Sequence, residues 1–224
     1  GAVLKQTGRI AESLTATQKS VQFAPQDAGV HSHLGVTLQE LGRLEEAEAS
    51  FTQAIALKPD FAEAHYNLGN TLKELERLDE ALACYAQAIA LKSDYVEAYY
   101  NLGNTLKELG RLDEAEASYN RAIALKPDFA KAHYNLGNTF KELGRLDEAE
   151  ASYNQAIAFK PDNAGAYSNL GRALKELGRL DEAEASDNQA IALKPDFAEA
   201  HYNLGNTLKE LGSLDEAEAS YNQA

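Results

Sequence analysis

One cysteine, Cys84, in 224 residues leaves no possibility of a disulfide within the chain and fits a reducing compartment. No apolar run approaches the roughly 20 residues that a membrane-crossing helix needs, and no secretory leader opens the chain. Basic residues are scarce: 21 Lys and Arg stand against 35 Asp and Glu, a formal charge of −14. That shortage argues against nucleic acid or an anionic membrane as the main partner, because both need clustered Lys and Arg. The glycines form no G-x-G-x-x-G loop behind a strand, since nothing in the pattern reads as a strand. The cytoplasm is the expected location. The sequence opens directly inside a repeating pattern, however, and reads as a fragment, so a missing leader carries little weight.

What the chain has in abundance is a period. The stretch from Asn101 to Asp128, NLGNTLKELGRLDEAEASYNRAIALKPD, recurs with near-copies starting at Asn67, Asn135, Asn169 and Asn203, each 34 residues after the last. A fainter copy starts at His33. A fixed period of this length marks a stacked-repeat architecture, in which each unit touches its neighbours and no single central core exists. The expected division is a single array: a partial repeat at 1–27, full repeats at 28–61, 62–95, 96–129, 130–163 and 164–197, and a truncated repeat at 198–224. No polar capping repeat is evident, so both ends are expected to expose apolar surface.

Within one repeat the pattern predicts helix, turn, helix. In 96–129, Ala98, Leu102, Leu106 and Leu109 follow the spacing of one helical face. Gly110 comes next, where a left-handed C-terminal cap favours glycine. Asp113 and Glu116 then have the spacing of a carboxylate capping box, repeated as Asp147/Glu150, Asp181/Glu184 and Asp215/Glu218. Pro127 ends the second helix, and Asp128 is placed to cap the next. Gly103, Ala115 and Ala122 are small enough for helices to approach closely, while Leu102, Leu106, Leu112, Tyr119, Ile123 and Leu125 fill the space between them.

Tyr99, Leu102, Gly103, Ala115, Tyr119, Ala122 and Pro127 carry a resemblance to the tetratricopeptide repeat, and the match recurs over nearly the whole chain. The resemblance implies an all-α, right-handed superhelical solenoid of antiparallel helix pairs. First helices would line the concave face, where such proteins hold an extended segment or helix of a partner protein. An asparagine six positions into each repeat also resembles the superhelical arm of the O-linked N-acetylglucosamine transferases, where an asparagine ladder holds the substrate backbone.

The face opposite the leucines presents ladders of its own. One is Asn67, Asn101, Asn135, Asn169 and Asn203; a second is Asn70, Asn104, Asn138 and Asn206, with Arg172 in the vacant place. A third is Lys73, Lys107, Lys141, Lys175 and Lys209, and Tyr66, Tyr100, Tyr134 and Tyr202 line the edge. An amide offers both donor and acceptor, so a regular row suits a peptide backbone whatever its side chains. The opposing reading is that each asparagine caps its own helix or faces water. The lysines are placed to attract acidic side chains, although each precedes a Glu that could neutralise it. The tyrosines stand where the family's carboxylate clamp needs Lys or Arg, which argues against capture of a C-terminal carboxylate.

The repeat at 164–197 departs most. Asn163, Gly165, Ser168, Arg172 and Asp187 replace residues that its siblings share, and Asp187 stands in the place of Tyr85, Tyr119, Tyr153 and Tyr221. A buried, unpaired carboxylate there would cost several kcal/mol, so Asp187 is expected to reach solvent or a partner. Drift is one account of the cluster. The other makes Arg172, Lys141 and Lys175 a local anion anchor. In the repeat at 28–61, Ser32, His33 and Val36 weaken the groove, and Glu76 and Ser93 replace a glycine and a proline without ending the pattern. His31, His65, His133 and His201 occupy a bulky packing position, too far apart to share a metal, and Cys84 replaces a serine. No metal, cofactor or catalytic role is expected of any residue. The expected function is that of a protein-interaction scaffold for an extended peptide. Self-association through the ends, or service as the targeting arm of a larger glycosyltransferase or methyltransferase, remain alternatives.

Overall fold

The computed structural model describes residues 2–224, with side chains from Ser13 onward. Among the described residues there are thirteen helices and no strand. They fall into two compact units, one ending at Leu109 and the other Gly110–Ala224. The first holds α1 (Ala2–Phe23), α2 (Ala28–Glu40), α3 (Leu44–Leu57), α4 (Ala62–Glu74), α5 (Leu78–Leu91) and α6 (Val96–Glu108). The second holds α7 (Leu112–Leu125), α8 (Ala130–Glu142), α9 (Leu146–Phe159), α10 (Ala164–Glu176), α11 (Leu180–Leu193), α12 (Ala198–Leu211) and α13 (Leu214–Tyr221). The all-α repeat architecture read from the period is therefore the one observed. The helix α1 runs unbroken across Gly8, which is in register with the turn glycine Gly42. Ala11 stands there in place of the acidic residue that opens α3 and α5.

Helix stops follow the sequence. Gly42, Gly110, Gly144, Gly178 and Gly212 all have φ between +70° and +87°. Glu76 occupies the same position in its repeat and adopts φ +60°, so the turn imposes the left-handed conformation even without glycine. Helix starts differ from expectation. The residue before α7, α9 and α11 is Arg111, Arg145 or Arg179, with no side-chain cap bond, and Asp113, Asp147 and Asp181 lie inside the first turn. No capping box forms. The acids instead face the positive end of the helix dipole, and the arginine bonds the glutamate three residues on, as Arg111 does with Glu114 at 2.7 Å. Asp128 does not cap α8 either: Phe129 precedes that helix, again without a cap bond. Among the described residues, side-chain caps occur only where the sequence departs, at Asp27 for α2 and Asn163 for α10.

Within each unit, first helices pack on second helices through a close contact at a glycine. A Cβ added at Gly69 would lie 2.7 Å from the Tyr85 ring, and one at Gly137 equally close to Tyr153. Glycine is what lets these rings lie flat against the first helix. Tyr85, Tyr119, Tyr153 and Phe51 are completely buried, each worth about 2 kcal/mol of apolar burial. Small residues fill the remaining contacts: Ala81, Ala88, Ala149 and Ala156 have no exposed surface. Buried threonines are satisfied locally, Thr71 and Thr139 each donating to the carbonyl four residues back at 2.9 Å. Histidine does more than pack. The Nε2 atoms of His31, His65, His133 and His201 lie 2.9–3.0 Å from the carbonyl oxygens of Pro25, Pro59, Pro127 and Pro195, tying these four inter-repeat turns to the helices that follow them.

On the side of the second helices, arginines bridge consecutive repeats. Arg77 reaches Glu48 at 2.7 Å as well as Glu80, and Arg179 reaches Glu150 at 2.5 Å as well as Glu182. Arg145 does the same with Glu116 and Glu148. The hydrogen bond from each arginine holds Glu80, Glu148 and Glu182 below the usual carboxylate range. Such exposed pairs add little stability, but they fix which glutamate faces which arginine.

Glu76→Gly removes the one left-handed non-glycine among the described residues and should raise stability by about 1 kcal/mol, measured by urea unfolding. An unchanged midpoint would mean that Glu76 adopts its turn without strain.

Candidate functional site

Within each compact unit the first helices of neighbouring repeats touch one another: α2 with α4 and α4 with α6, then α8 with α10 and α10 with α12. The second helices, α3 with α5 and α9 with α11, do not. Each unit therefore curves with its first helices on the inner face. That face carries the asparagine, tyrosine and lysine ladders.

The asparagines neither cap their own helices nor stand free in water. In the first unit, Asn101 on α6 donates through Nδ2 to the Tyr66 hydroxyl at 3.0 Å and to Asn70 Oδ1 at 2.9 Å, both on α4. The Tyr85 hydroxyl, from α5, donates to the same Asn70 oxygen at 2.8 Å. In the second unit Asn169 bonds Tyr134 at 3.0 Å and Asn138 at 2.8 Å, and Tyr153 donates to Asn138 at 2.9 Å. The two asparagine ladders are thus parts of one network that joins the repeat at 62–95 to Asn101 and the repeat at 130–163 to Asn169. It uses both hydrogens of the Asn101 and Asn169 amides. What each repeat leaves over is the Nδ2 group of Asn70 or Asn138, the hydroxyl hydrogen of Tyr66 or Tyr134, and the carbonyl oxygen of Asn101 or Asn169. Sequence reasoning missed Tyr85, Tyr153 and Tyr221 as members of this network. Their constant spacing of 15 residues from Asn70, Asn138 and Asn206 is the signal that could have found them.

The remaining candidates sit as follows. Asn67 is half-buried, and with Ser32 and Val36 preceding it in the array it has no counterpart to Tyr66 and Asn70. Asn203 is buried and donates to Ser168 Oγ at 3.0 Å, the serine standing in for tyrosine. Asn206 accepts from Tyr221 at 3.0 Å. Tyr100, Asn104, Asn135 and Lys107 are half-buried on the same face, and Tyr202 is exposed. The lysines meet glutamates of the next repeat rather than the Glu that follows each in sequence: Lys73 pairs with Glu108 at 2.8 Å and Lys175 with Glu210 at 3.2 Å. Lys141 is half-buried.

In the repeat at 164–197 the structure overturns two expectations. Asp187 neither reaches solvent nor finds a partner: its exposure is 0 %, and neither carboxylate oxygen has a hydrogen bond. It lies against Gly171, where the siblings place a tyrosine ring. Burial pushes its pKa up to about 8, Lys175 opposing the shift. Nor do Arg172, Lys141 and Lys175 form an anion anchor. Arg172 faces Glu199 at 3.7 Å, Lys175 is paired with Glu210, and Lys141 is not part of the pocket they share. Elsewhere, burial raises the Cys84 thiol to about 11, so it is no nucleophile near neutrality. Among the described residues no group of His, Cys, Asp and Glu could hold a metal, and no helix is long and apolar enough to cross a membrane.

A family model described as a TPR repeat matches residues 37–76, 69–110, 103–144, 137–178 and 171–212. Among solved structures, YrrB, described as a TPR protein with an unusual peptide-binding site, is 25% identical with a TM-score of 0.72, over 83% of this chain and 95% of its own. MamA is 26% identical with a TM-score of 0.70, over 72% of this chain and 95% of its own. PilF of Pseudomonas aeruginosa is 18% identical with a TM-score of 0.74, over 86% and 88%, a likeness of fold alone. No curated protein matches.

Asn169→Ala leaves Asn138 and Tyr134 short of a buried partner and should destabilise the protein by about 1–3 kcal/mol in urea unfolding without any ligand. A neutral result would show the network to be dispensable. The proton on Asp187 gives a second measurable effect. In the unfolded chain the carboxyl ionises near its ordinary value of 3.8, whereas the folded chain holds the proton until about pH 8. Stability should therefore fall between about pH 4 and 8 and level off above, and Asp187→Asn should remove that slope. Parallel pH profiles for the two proteins would contradict this.

Proposed function

Because the chain belongs to the tetratricopeptide repeat family, its model matching the chain from residue 37 to residue 212, we propose that it is a protein-interaction scaffold that holds an extended peptide segment along the inner face of its first helices. The observation that carries this reading is the polar remainder left once the repeat-to-repeat network is satisfied. The repeats at 62–95 and 130–163 offer a donor pair on Asn70 or Asn138 and a hydroxyl hydrogen on Tyr66 or Tyr134, and the repeats that follow them a carbonyl acceptor on Asn101 or Asn169. An extended backbone presents the complementary alternation of carbonyl and N–H. Asn104, Asn135, Asn203, Asn206, Tyr100 and Tyr202 continue the rows, with Asn67 at one end, and Lys107, Lys141, Lys175 and Arg172 set the charge along the edge. The similarity to YrrB, itself described as having a peptide-binding site, supports the same class of ligand. The asparagine ladder acts through its free oxygen and through its neighbour's nitrogen, not through an unengaged amide.

The test separates ligand contacts from internal ones. Asn70→Asp with Asn138→Asp keeps the oxygen that Tyr85, Tyr153, Asn101 and Asn169 bond, and replaces only the donor left for a ligand. Peptides selected from a random display library should lose at least tenfold in affinity for this variant, measured by fluorescence polarisation. If every selected peptide binds the variant as tightly as the parent, the proposal fails.

A further inference from the structure

In the repeats that carry Tyr85, Tyr153 and Tyr221 the second helix supplies a donor, the tyrosine hydroxyl, and the first helix an acceptor, the asparagine oxygen 15 residues earlier. The repeat at 164–197 replaces both members at once. Asp187, an acceptor, stands in the tyrosine position, and Arg172, a donor, in the asparagine position. The pair is reversed in polarity, and it does not close: both Asp187 oxygens and Arg172 Nε are buried without a partner. Ser168 removes a second aromatic ring from the same region. The result is a cavity of about 290 Å³ between α10, α11 and α12, with Asp187 in its wall and the inner-face residues Tyr202, Asn203 and Asn206 around it. That volume is roughly ten waters' worth, small for a drug-sized ligand and ample for one side chain.

Charge selects the occupant. The ionisable groups that line the cavity with Asp187 are Arg172, Lys175 and Glu176 from α10 and Glu199 and Tyr202 from α12. Both cations already face other carboxylates, Glu199 and Glu210. With Asp187 ionised, two positive groups meet three negative ones in the wall, and of those carboxylates Glu176 is exposed to water while Asp187 is buried without a hydrogen bond. A neutral apolar occupant would leave Asp187 unsatisfied, and an anion would add to the surplus.

We propose that this cavity is a side-chain pocket for one lysine or arginine of the bound segment, whose ammonium or guanidinium draws the buried Asp187 carboxylate away from Gly171 and donates to it. This rests on the inner-face reading above and sharpens it. One position of the ligand is read as cationic, while the rest of the row remains indifferent to side chains. Seating the cation displaces the proton that Asp187 otherwise holds, so occupancy releases a proton at neutral pH.

The test needs no peptide. The ¹³Cγ resonance of Asp187, identified by its absence in Asp187→Asn, is titrated with pH in the intact chain at constant ionic strength. Sodium chloride, n-butylammonium chloride, methylguanidinium chloride and tetramethylammonium chloride are compared. n-Butylammonium or methylguanidinium should lower the titration midpoint by about one unit, a tenfold weaker hold on the proton. Tetramethylammonium, which has no N–H donor, should match sodium. A response to only one of the two donors identifies the side chain that the pocket takes. Midpoints that coincide in all four salts would overturn the proposal, as would a midpoint in the ordinary carboxylate range with sodium alone. The readout is independent of peptide affinity: loss of the inner-face reading with a shifted midpoint would leave a small-cation site, and an unshifted midpoint sinks the pocket whatever the peptides do.

Discussion

The contact between a first-helix glycine and an aromatic ring of the second helix, made at Gly35, Gly69, Gly137 and Gly205, is the constraint on which the rest of the structure depends. At Gly69 and Gly137 any side chain would strike Tyr85 or Tyr153. Because the ring lies so close to the helix, its hydroxyl emerges on the far side, at the Asn70 or Asn138 amide. That bond orients the amide oxygen, and the oriented oxygen takes the hydrogen bond of the asparagine in the following repeat. Helix pairing, repeat stacking and the presentation of the inner face are thus consecutive links in one chain of contacts. Phe51 shows what happens when the hydroxyl is missing: the ring still packs against Gly35 with no exposure, but it carries no polar tip to continue the chain.

The sequence made the architecture legible because every cue agreed: period, helical spacing, turn glycine and terminal proline. Local electrostatics at the helix starts were less legible. Asp113 and Glu116 have the spacing of a capping box, yet the helix begins two residues earlier than that box requires, and Glu116 instead serves Arg145 of the next repeat. Spacing along the chain does not reveal a partner 29 residues away. The asparagine ladders were visible as rows but not as bonded partners, for the same reason. Amides that read as a surface for a ligand are in part the fastening between repeats. Asp187 was identified as anomalous from its position, but a compensating contact was expected of it, and none is present.

The repeat at 164–197 shows how an array of near-identical members acquires an individual position. Substitutions at three points, Ser168, Arg172 and Asp187, remove two rings and invert one donor–acceptor pair while leaving α10 and α11 with the same bounds as their siblings. The backbone tolerates this because the left-handed turn, the helix stops and the arginine bridge to Glu150 lie elsewhere in the repeat. A burden of one buried carboxylate is carried by contacts that it does not touch.

The offsets of the network have a consequence for the gene. Asn101 reaches back 35 residues to Tyr66 and 31 to Asn70, and Asn169 reaches back by the same intervals to Tyr134 and Asn138. Partners are defined by translation along the array, not by absolute address. Excising or duplicating a 34-residue segment by recombination therefore rejoins compatible surfaces, and the number of ordinary repeats is free to change without re-evolving a single interface. The segment bearing Asp187 is the exception. Its loss would erase a position that is chemically distinct from its siblings, and with it a mark of register for whatever lies along the row.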